Sequence, residues 1–415
     1  MFGLIGQIAW AIENMEFNVF LFNEIGGNST DIANMVSMSS IVATITTLIM
    51  GTVSDRIGHR KLFLCIGYIL WGLSTMAFAF ISRENVEMMV GAERALSTGV
   101  LMVILMDCVM TFFGSTANDA SFNSWVTEIT DSENRPKVEG VLNTFPLISM
   151  LIVAGGAGIL INLTNWPTFF IIVGAVVVVC GILGLFFVKD VKSVQSEDSS
   201  FFRNLIYGFR PSVIKENKKF YIALLALSIF NIATNIFMPY LIIYLESTLG
   251  FDFLTYGIVM GVVILLASIV SVVFSSKIDS IGRDRVLTFA IIIFAFGLFM
   301  VSFMKTPVLF GLFGTIMMIG FVFISIILMS TIRDYTPLDH VGMFQGIRII
   351  AYVMIPMIIG PYIGSFLIER FSKGTYTNSY NEVVKLPVSY IFIASAVVSL
   401  LIFIPKAMLK KVEAK

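Results

Sequence analysis

The sequence predicts an all-α membrane protein with twelve transmembrane helices in two pseudo-symmetric six-helix bundles. Three observations carry that prediction: continuous apolar runs of spanning length, a basic-residue asymmetry between alternate loops, and motifs repeated at fixed offsets. Of the 415 residues, 57% are hydrophobic and 13% charged, with a mean hydropathy of +0.92. A soluble domain carries nearer to about 25% charged residues. So much apolar surface cannot be hidden inside water-soluble cores, and lipid must be part of the solvent. Soluble enzymes, nucleic-acid binders and secreted disulfide scaffolds are thereby excluded. The 27 basic residues cancel the 27 acidic ones, so net charge identifies no polyanionic partner.

The apolar runs cover 2–26, 31–52, 62–81, 96–124, 139–162 and 166–188, then 219–245, 253–276, 286–304, 307–332, 342–369 and 387–405. Each is long enough to cross about 30 Å of hydrocarbon as a helix. Barrel strands would alternate polar and apolar residues over about ten positions, and these runs are continuous. The first run has no basic n-region and carries Glu13 and Glu16, so it reads as a retained span, not a cleavable signal. Lys and Arg number 20 in one set of alternate loops and 6 in the other. The positive-inside rule then places both termini in the cytoplasm of a multi-pass cell-membrane protein. Segment 189–218 is the one long polar stretch, with Phe201, Phe202, Leu205, Ile206 and Phe209 on one side of an expected surface helix. It reads as a linker between an N-terminal bundle, 1–188, and a C-terminal bundle, 219–415.

Cysteine and histidine narrow the chemistry. Cys65, Cys108 and Cys180 are scattered through apolar runs, so no disulfide framework or CxxC metal site is present. His59 and His340 lie between runs, so proton movement across the membrane interior must use carboxylates. No HExxH, GxSxG or P-loop pattern occurs. The expectation is a non-enzyme with no cofactor.

The two halves carry related signals in order. Asp55-Arg56-Ile-Gly58-His59-Arg60-Lys61 is answered 224 residues later by Asp279-Ser-Ile-Gly282-Arg283-Asp284-Arg285. The same offset pairs Gly26 with Gly250 and Gln7 with Asn231. Beyond the fourth run the offset becomes 206, pairing Glu128 with Asp334 and Glu139-Gly140 with Gln345-Gly346. Duplicated transporters have this organisation. The repeated D-R-x-G-x-R-K loop resembles the signature loop of the major facilitator superfamily, with His59 where that pattern usually has Arg. Gly58 and Gly282 permit tight turns. Asp55 and Asp279 are expected to pair with arginine across a partly desolvated surface. Arg56, Arg60, Glu128, Arg135 and Arg285 complete the expected gating latch.

Charged residues inside spans are expensive and mark function. They are Glu13 and Glu16 in the first span, Asp107 and Asp119 in the fourth, and Arg348 in the eleventh. At 100° per residue, Gln7, Trp10, Glu13, Asn14 and Phe17 share one face, with Glu16 beyond its edge. Asp107, Thr111, Gly114, Asn118 and Phe122 form a second stripe, with Asp119 about a quarter-turn away. Asn143 follows in the fifth span, and Asn231 and Asn235 lie one turn apart in the seventh. Trp71 and Trp166, near span ends, read as interfacial anchors. Gly360 and Gly364 read as sites of close helix approach. The sequons at Asn28 and Asn162 lie in short loops that hug the membrane and read as coincidental matches.

The run Asn118-Asp119-Ala-Ser-Phe122-Asn123-Ser-Trp125-Val-Thr-Glu128-Ile-Thr130 resembles the fourth helix of the glycoside–pentoside–hexuronide:cation symporters. The opening Gly6-Gln7-Ile-Ala-Trp10-Ala-Ile-Glu13 is similar to the first helix of the related plant sucrose carriers. The resemblance implies a sugar-binding role for Asp119. Asn143 falls at a family sugar-binding arginine, Asn123 at a stacking tryptophan, and Gln7 at a first-helix aspartate. Ala43 and Thr47 stand where sodium-holding aspartates occur in the second helix, which counts against sodium.

The expected function is therefore proton-coupled symport of a sugar or glycoside by alternating access, with the protein working as a monomer in the bilayer. Gln7, Trp10, Asn14, Asn118, Asp119, Phe122, Asn123, Asn143, Asn231, Asn235 and Arg348 are expected to bind substrate. Glu13, Asp119 and Asp107 are expected to carry the proton, and Arg348 to pair with a deprotonated carboxylate when substrate is absent. A proton-driven exporter of amphipathic compounds and a passive sugar uniporter are the alternatives.

Overall fold

The computed structural model describes the chain apart from residues 131–133, 135–137, 139–140, 143, 189–207, 276, 338–340, 379 and 414–415, and apart from the side chains of residues 55, 56, 275, 279 and 341–343. The sequence expectations for Arg135, Asn143 and most of the 201–209 surface helix lie outside the described residues, as do those for the side chains of Asp55, Arg56 and Asp279.

Eleven of the twelve expected spans are helices long and apolar enough to cross a membrane. The remaining one, the first, is an α-helix over Phe2–Ile12 followed by π-turns at Glu13–Phe17 and Phe20–Glu24. The second span, Ser29–Ile57, starts at a capping box. Asn28 Oδ1 accepts the amides of Thr30 and Asp31, and Asp31 Oδ2 accepts the amide of Asn28 at 2.9 Å. The Asn28 sequon thus has a local structural reason in helix capping. The third and sixth spans, Arg60–Ala77 and Trp166–Phe187, approach closely through glycine. A Cβ on Gly174 would stand 2.5 Å from the Gly72 carbonyl oxygen.

The fourth span is α-helical over Ala92–Gly114, π-helical over Ser115–Phe122 and α-helical again over Asn123–Ile129. The eleventh contains the same interruption at Ile350–Met354. The fifth and tenth spans cover Phe145–Leu163 and Pro307–Asp334. The seventh runs as an α-helix over Lys218–Phe237, and the last divides into Tyr390–Leu400 and Phe403–Glu413. Two elements lie between the expected spans. A short helix, Arg83–Val90, precedes the fourth span. Between the last two spans a two-stranded hairpin forms from β1, Thr375–Thr377, and β2, Val383–Lys385.

The repeat is visible in the backbone. Gly26, Gly250, Gly58 and Gly282 all have positive φ, at 84°, 72°, 73° and 99°. Side-chain-bearing residues rarely adopt that conformation, so each position needs glycine. The chain divides into two compact units. One comprises Met1–Ser199 with Tyr376–Val384, and the other Ser200–Thr375 with Lys385–Lys415.

Candidate functional site

In the first unit, the polar groups of the first and fourth spans meet. Glu13 is 8% exposed, and its Oε1 accepts the Thr111 hydroxyl at 3.0 Å. Asp107, one turn before Thr111, is 1% exposed and lies within electrostatic range of Glu13, as does Asp119. Ser39 of the second span is a polar neighbour of Asp107. Glu13 Oε2 and Asp107 Oδ1 have no hydrogen-bond partner among the described residues. None of the three carboxylates pairs with a described Lys or Arg. Buried charge without a counter-charge is costly, so a proton on this group is chemically reasonable.

Asp119 sits where the fourth span is π-helical. The Asn118 amide donates to its Oδ1 at 3.3 Å, and Trp10 of the first span is a further polar neighbour. Asn118 Oδ1 lies 3.0 Å from the Tyr68 hydroxyl, which lies 2.8 Å from the Phe2 carbonyl oxygen. One hydroxyl hydrogen therefore serves two acceptors. The first and fourth spans come this close because position 6 is glycine: a Cβ there would lie 2.4 Å from Asn118 Oδ1 and 2.5 Å from the Tyr68 oxygen.

Trp71 corrects an expectation. It is not an interfacial anchor but fully buried, packed at 4.9 Å from the Trp10 ring and 5.4 Å from the Tyr68 ring. It lies well inside Arg60–Ala77 and packs against the first span, away from either helix end. Glu16 is also more deeply buried than Glu13, at 1% exposure. Both lie in the π-turn over Glu13–Phe17, where the 100° spacing of an α-helix does not hold.

The remaining expected contacts are more dispersed. Asn14 is exposed, and its amide donates to the Trp10 carbonyl at 2.8 Å. Asn123 is likewise exposed and bonds the Asp119 carbonyl at 3.1 Å. Phe122 is buried, 6.3 Å from the Trp125 ring, and Gln7 is half-buried. Sequence reading missed Tyr68 and Ser39. Both are polar residues inside apolar runs, so the signal was present.

In the second unit, the seventh and eleventh spans are in close contact. The Asn231 and Asn235 amides donate to the carbonyls of Leu227 and Asn231, both at 2.9 Å. Ser228 donates to the Ala351 carbonyl at 2.7 Å, within the π-turn of the eleventh span. A Cβ on Gly360 would meet Asn235 Cβ at 2.6 Å, and one on Gly364 the Ile236 carbonyl oxygen at 2.4 Å. Both glycines therefore permit close approach. Arg348 is half-buried, with Tyr352 and Arg333 as charged or titratable neighbours.

The latch motif is built separately in each unit. Arg60, with its side chain 6% exposed, donates through Nε to Glu128 at 3.1 Å and through a terminal nitrogen to Ser54. In the other unit Arg283 pairs with Asp334, and Lys406 reaches Asp284 at 2.7 Å. These groups line a cavity of about 230 Å³, together with Tyr335 and Glu413, which share a hydrogen bond. The acids engaged, Glu128 and Asp334, are the pair related by the 206-residue offset. Arg285 is exposed.

The Major Facilitator Superfamily model matches residues 3–352 and 223–414. No curated protein is significantly similar in sequence. Among solved structures, the chain is similar to the nucleoside transporter NupG, with a TM-score of 0.72, 14% identity and coverage of 98% of each chain. It is also similar to a bacterial homolog of the human lysosomal transporter Spinster, with a TM-score of 0.69 and 11% identity over 99% of this chain and 95% of that one. At such identities the likeness concerns the fold. With its eleven clear spans, repeated latch and near-complete family match, the chain belongs to the major facilitator superfamily and is a multi-pass membrane transporter, not an enzyme.

Proposed function

We propose that the protein is a proton-coupled symporter that takes up a sugar or glycoside by alternating access at the cell membrane, with both termini cytoplasmic. The observation that carries the reading is the cluster of Glu13, Asp107 and Asp119 without a described basic partner, beside hydrogen-bonding and aromatic groups. Substrate would be held in the first unit through Asp119, Asn118 and Trp10, which lie together there. Burial favours the neutral form of a carboxyl, which gives Glu13 the means to carry a proton as substrate moves. Each charge crossing the membrane yields about 2.3 kcal/mol per 100 mV. At about 1.4 kcal/mol per decade this sustains roughly 50-fold accumulation. One coupling carboxylate is therefore sufficient for uptake.

A nucleoside, a sugar carrying a flat base, is the second reading. The fold likeness to NupG and the Trp10 indole beside Asp119 favour it. Proteoliposomes offered a panel of glycosides and nucleosides test both. Substrate-induced alkalinisation outside the vesicles is expected for a symporter. Uptake of a panel compound with no accompanying proton movement would favour a uniporter and sink the coupling.

A further inference from the structure

In the first unit, the Asn118 amide links Asp119 to Tyr68 through contacts that are short of one hydrogen. Its Nδ2 donates to Asp119 Oδ1 at 3.3 Å, and its Oδ1 lies 3.0 Å from the Tyr68 hydroxyl. The same hydroxyl lies 2.8 Å from the Phe2 carbonyl oxygen. With Asp119 ionised, these three contacts share two hydrogens, one from the amide and one from the phenol. One of the two oxygens beside Tyr68 then faces only its lone pairs. Tyr68 is fully buried and Asn118 is 3% exposed, so bulk water does not supply the missing hydrogen.

A proton on Asp119 completes the count. The Asn118 amide can make a half-turn about its Cβ–Cγ bond, which exchanges oxygen and nitrogen nearly in place. Asp119 then donates to Asn118 Oδ1, Asn118 Nδ2 donates to the Tyr68 oxygen, and the Tyr68 hydroxyl donates to the Phe2 carbonyl. Each contact has a hydrogen of its own, as buried polar groups require. Close backbone approach holds the partners in place. A Cβ on Gly67 would stand 2.7 Å from Ala117 Cβ, and Gly6 leaves room for Asn118 and the Tyr68 oxygen. The Tyr68 ring is held by Phe2 at 4.8 Å and Trp71 at 5.4 Å, so its oxygen stays where the amide meets it.

We propose that Tyr68 is a positioning residue for the coupling proton: acting through the Asn118 amide, its single hydrogen completes the site only when Asp119 is protonated. This rests on the reading of the pocket as a proton-coupled substrate site and deepens it, adding a residue that touches neither substrate nor the carboxyl group. The amide reverses its direction as the proton comes and goes, which carries the state of Asp119 to the third span. Among the described residues, Glu13 of the first span and Tyr68 of the third stand within electrostatic range of Asp119, and Asp107 acts in turn on Glu13. Trp10 adds an indole donor. The second span carries its charges at its ends, as Asp31, Asp55 and Arg56, and the third carries Arg60 and Lys61 at its start.

The test titrates Asp119 in the full-length protein in lipid bilayers by infrared difference spectroscopy. The signal is the carbonyl stretch of the protonated carboxyl group, assigned as the band that Asp119→Asn removes. Tyr68→Phe takes away the hydroxyl and with it the penalty on the ionised form. The midpoint is expected to fall by about one pH unit, a tenfold change in proton affinity. Tyr68→4-aminophenylalanine keeps a polar group of similar size but carries two hydrogens, enough to serve Phe2 and Asn118 together while Asp119 is ionised. Its midpoint is expected to fall at least as far, and a shift common to both variants is not the loss of a polar contact. In an Asn118→Ala background neither change should move the midpoint, because the middle link is gone. Midpoints unchanged by both variants, or moved equally without Asn118, would overturn the role of Tyr68, as would the absence of any titrating band that Asp119→Asn removes. If the midpoints follow the expected order but no panel compound drives proton movement, the symport reading fails and the role of Tyr68 stands.

Discussion

At the scale of single residues, Glu13 has the clearest chemical assignment. It accepts one hydroxyl, keeps one oxygen without a described partner, and faces two further acids. Glu13→Gln keeps the shape and removes the titration. The expected result is loss of proton-driven accumulation with substrate exchange retained, read as tracer flux in vesicles with and without a pH gradient. Continued accumulation under that gradient would end the assignment. Asp119→Asn should weaken substrate binding by about 10–100-fold, equivalent to about 1.4–2.8 kcal/mol, because it replaces a carboxyl oxygen beside Trp10 and Asn118 with an amide group. Calorimetric titration with an accepted panel compound measures this, and unchanged affinity would take Asp119 out of the site.

At the scale of elements, the glycines and π-turns set which side chains meet. Gly6→Ala forces a methyl group to within 2.5 Å of both Asn118 and Tyr68. Overpacking of this kind costs about 1–3 kcal/mol, so melting in detergent should fall by several degrees while Gly51→Ala, where nothing lies within 4 Å, should not. The hairpin formed by Thr375–Thr377 and Val383–Lys385 has its own pH behaviour. Burial pushes the Tyr376 hydroxyl, which donates to the Phe22 carbonyl at 2.8 Å, up to about 12, above its ordinary value of about 10. A raised value means that this bond is at full strength below about pH 10 and fades as pH rises through 12. Hydrogen-exchange protection of the hairpin amides should therefore not change through Tyr376 across neutral and mildly alkaline pH. These elements were only partly legible. The continuous apolar runs located every span, but a π-turn is an i→i+5 choice made by packing. A 100° helical wheel therefore does not describe where the Glu13 and Glu16 side chains lie. The hairpin strands read Thr-Tyr-Thr and Val-Val-Lys, a signal too short to stand out beside long apolar runs.

At the scale of the whole molecule, the duplication keeps positive-φ glycines at paired turns but is unequal in chemistry. The Arg60–Glu128 pair has side chains 6% and 20% exposed, whereas those of Arg283–Asp334 are 41% and 55% exposed. Breaking a buried pair strands a charge and costs up to about 3–5 kcal/mol. An exposed pair contributes about 0–1 kcal/mol. Arg60→Ala should thus lower thermal stability and transport much more than Asp334→Asn. Equal effects on the two melting curves would show that burial does not rank the copies. The latch motif could be read as a repeated charge pattern, but the acid each arginine engages could not. Glu128 and Asp334 lie 68 and 51 residues from their arginines, and only folding brings them together.

The sequence alone determined that lipid is part of the solvent, that the chain crosses it repeatedly, and that its halves are related. Those properties follow from composition and period, which act along the chain without reference to distant residues. Tertiary structure decided which of the intramembrane carboxylates meet, that Trp71 is core and not anchor, and that the Thr375–Lys385 hairpin reaches the turn at Gly26. Each of these depends on how closely two backbones approach. That distance is set by the glycines and π-turns at the crossing points, and no local pattern in the sequence encodes it.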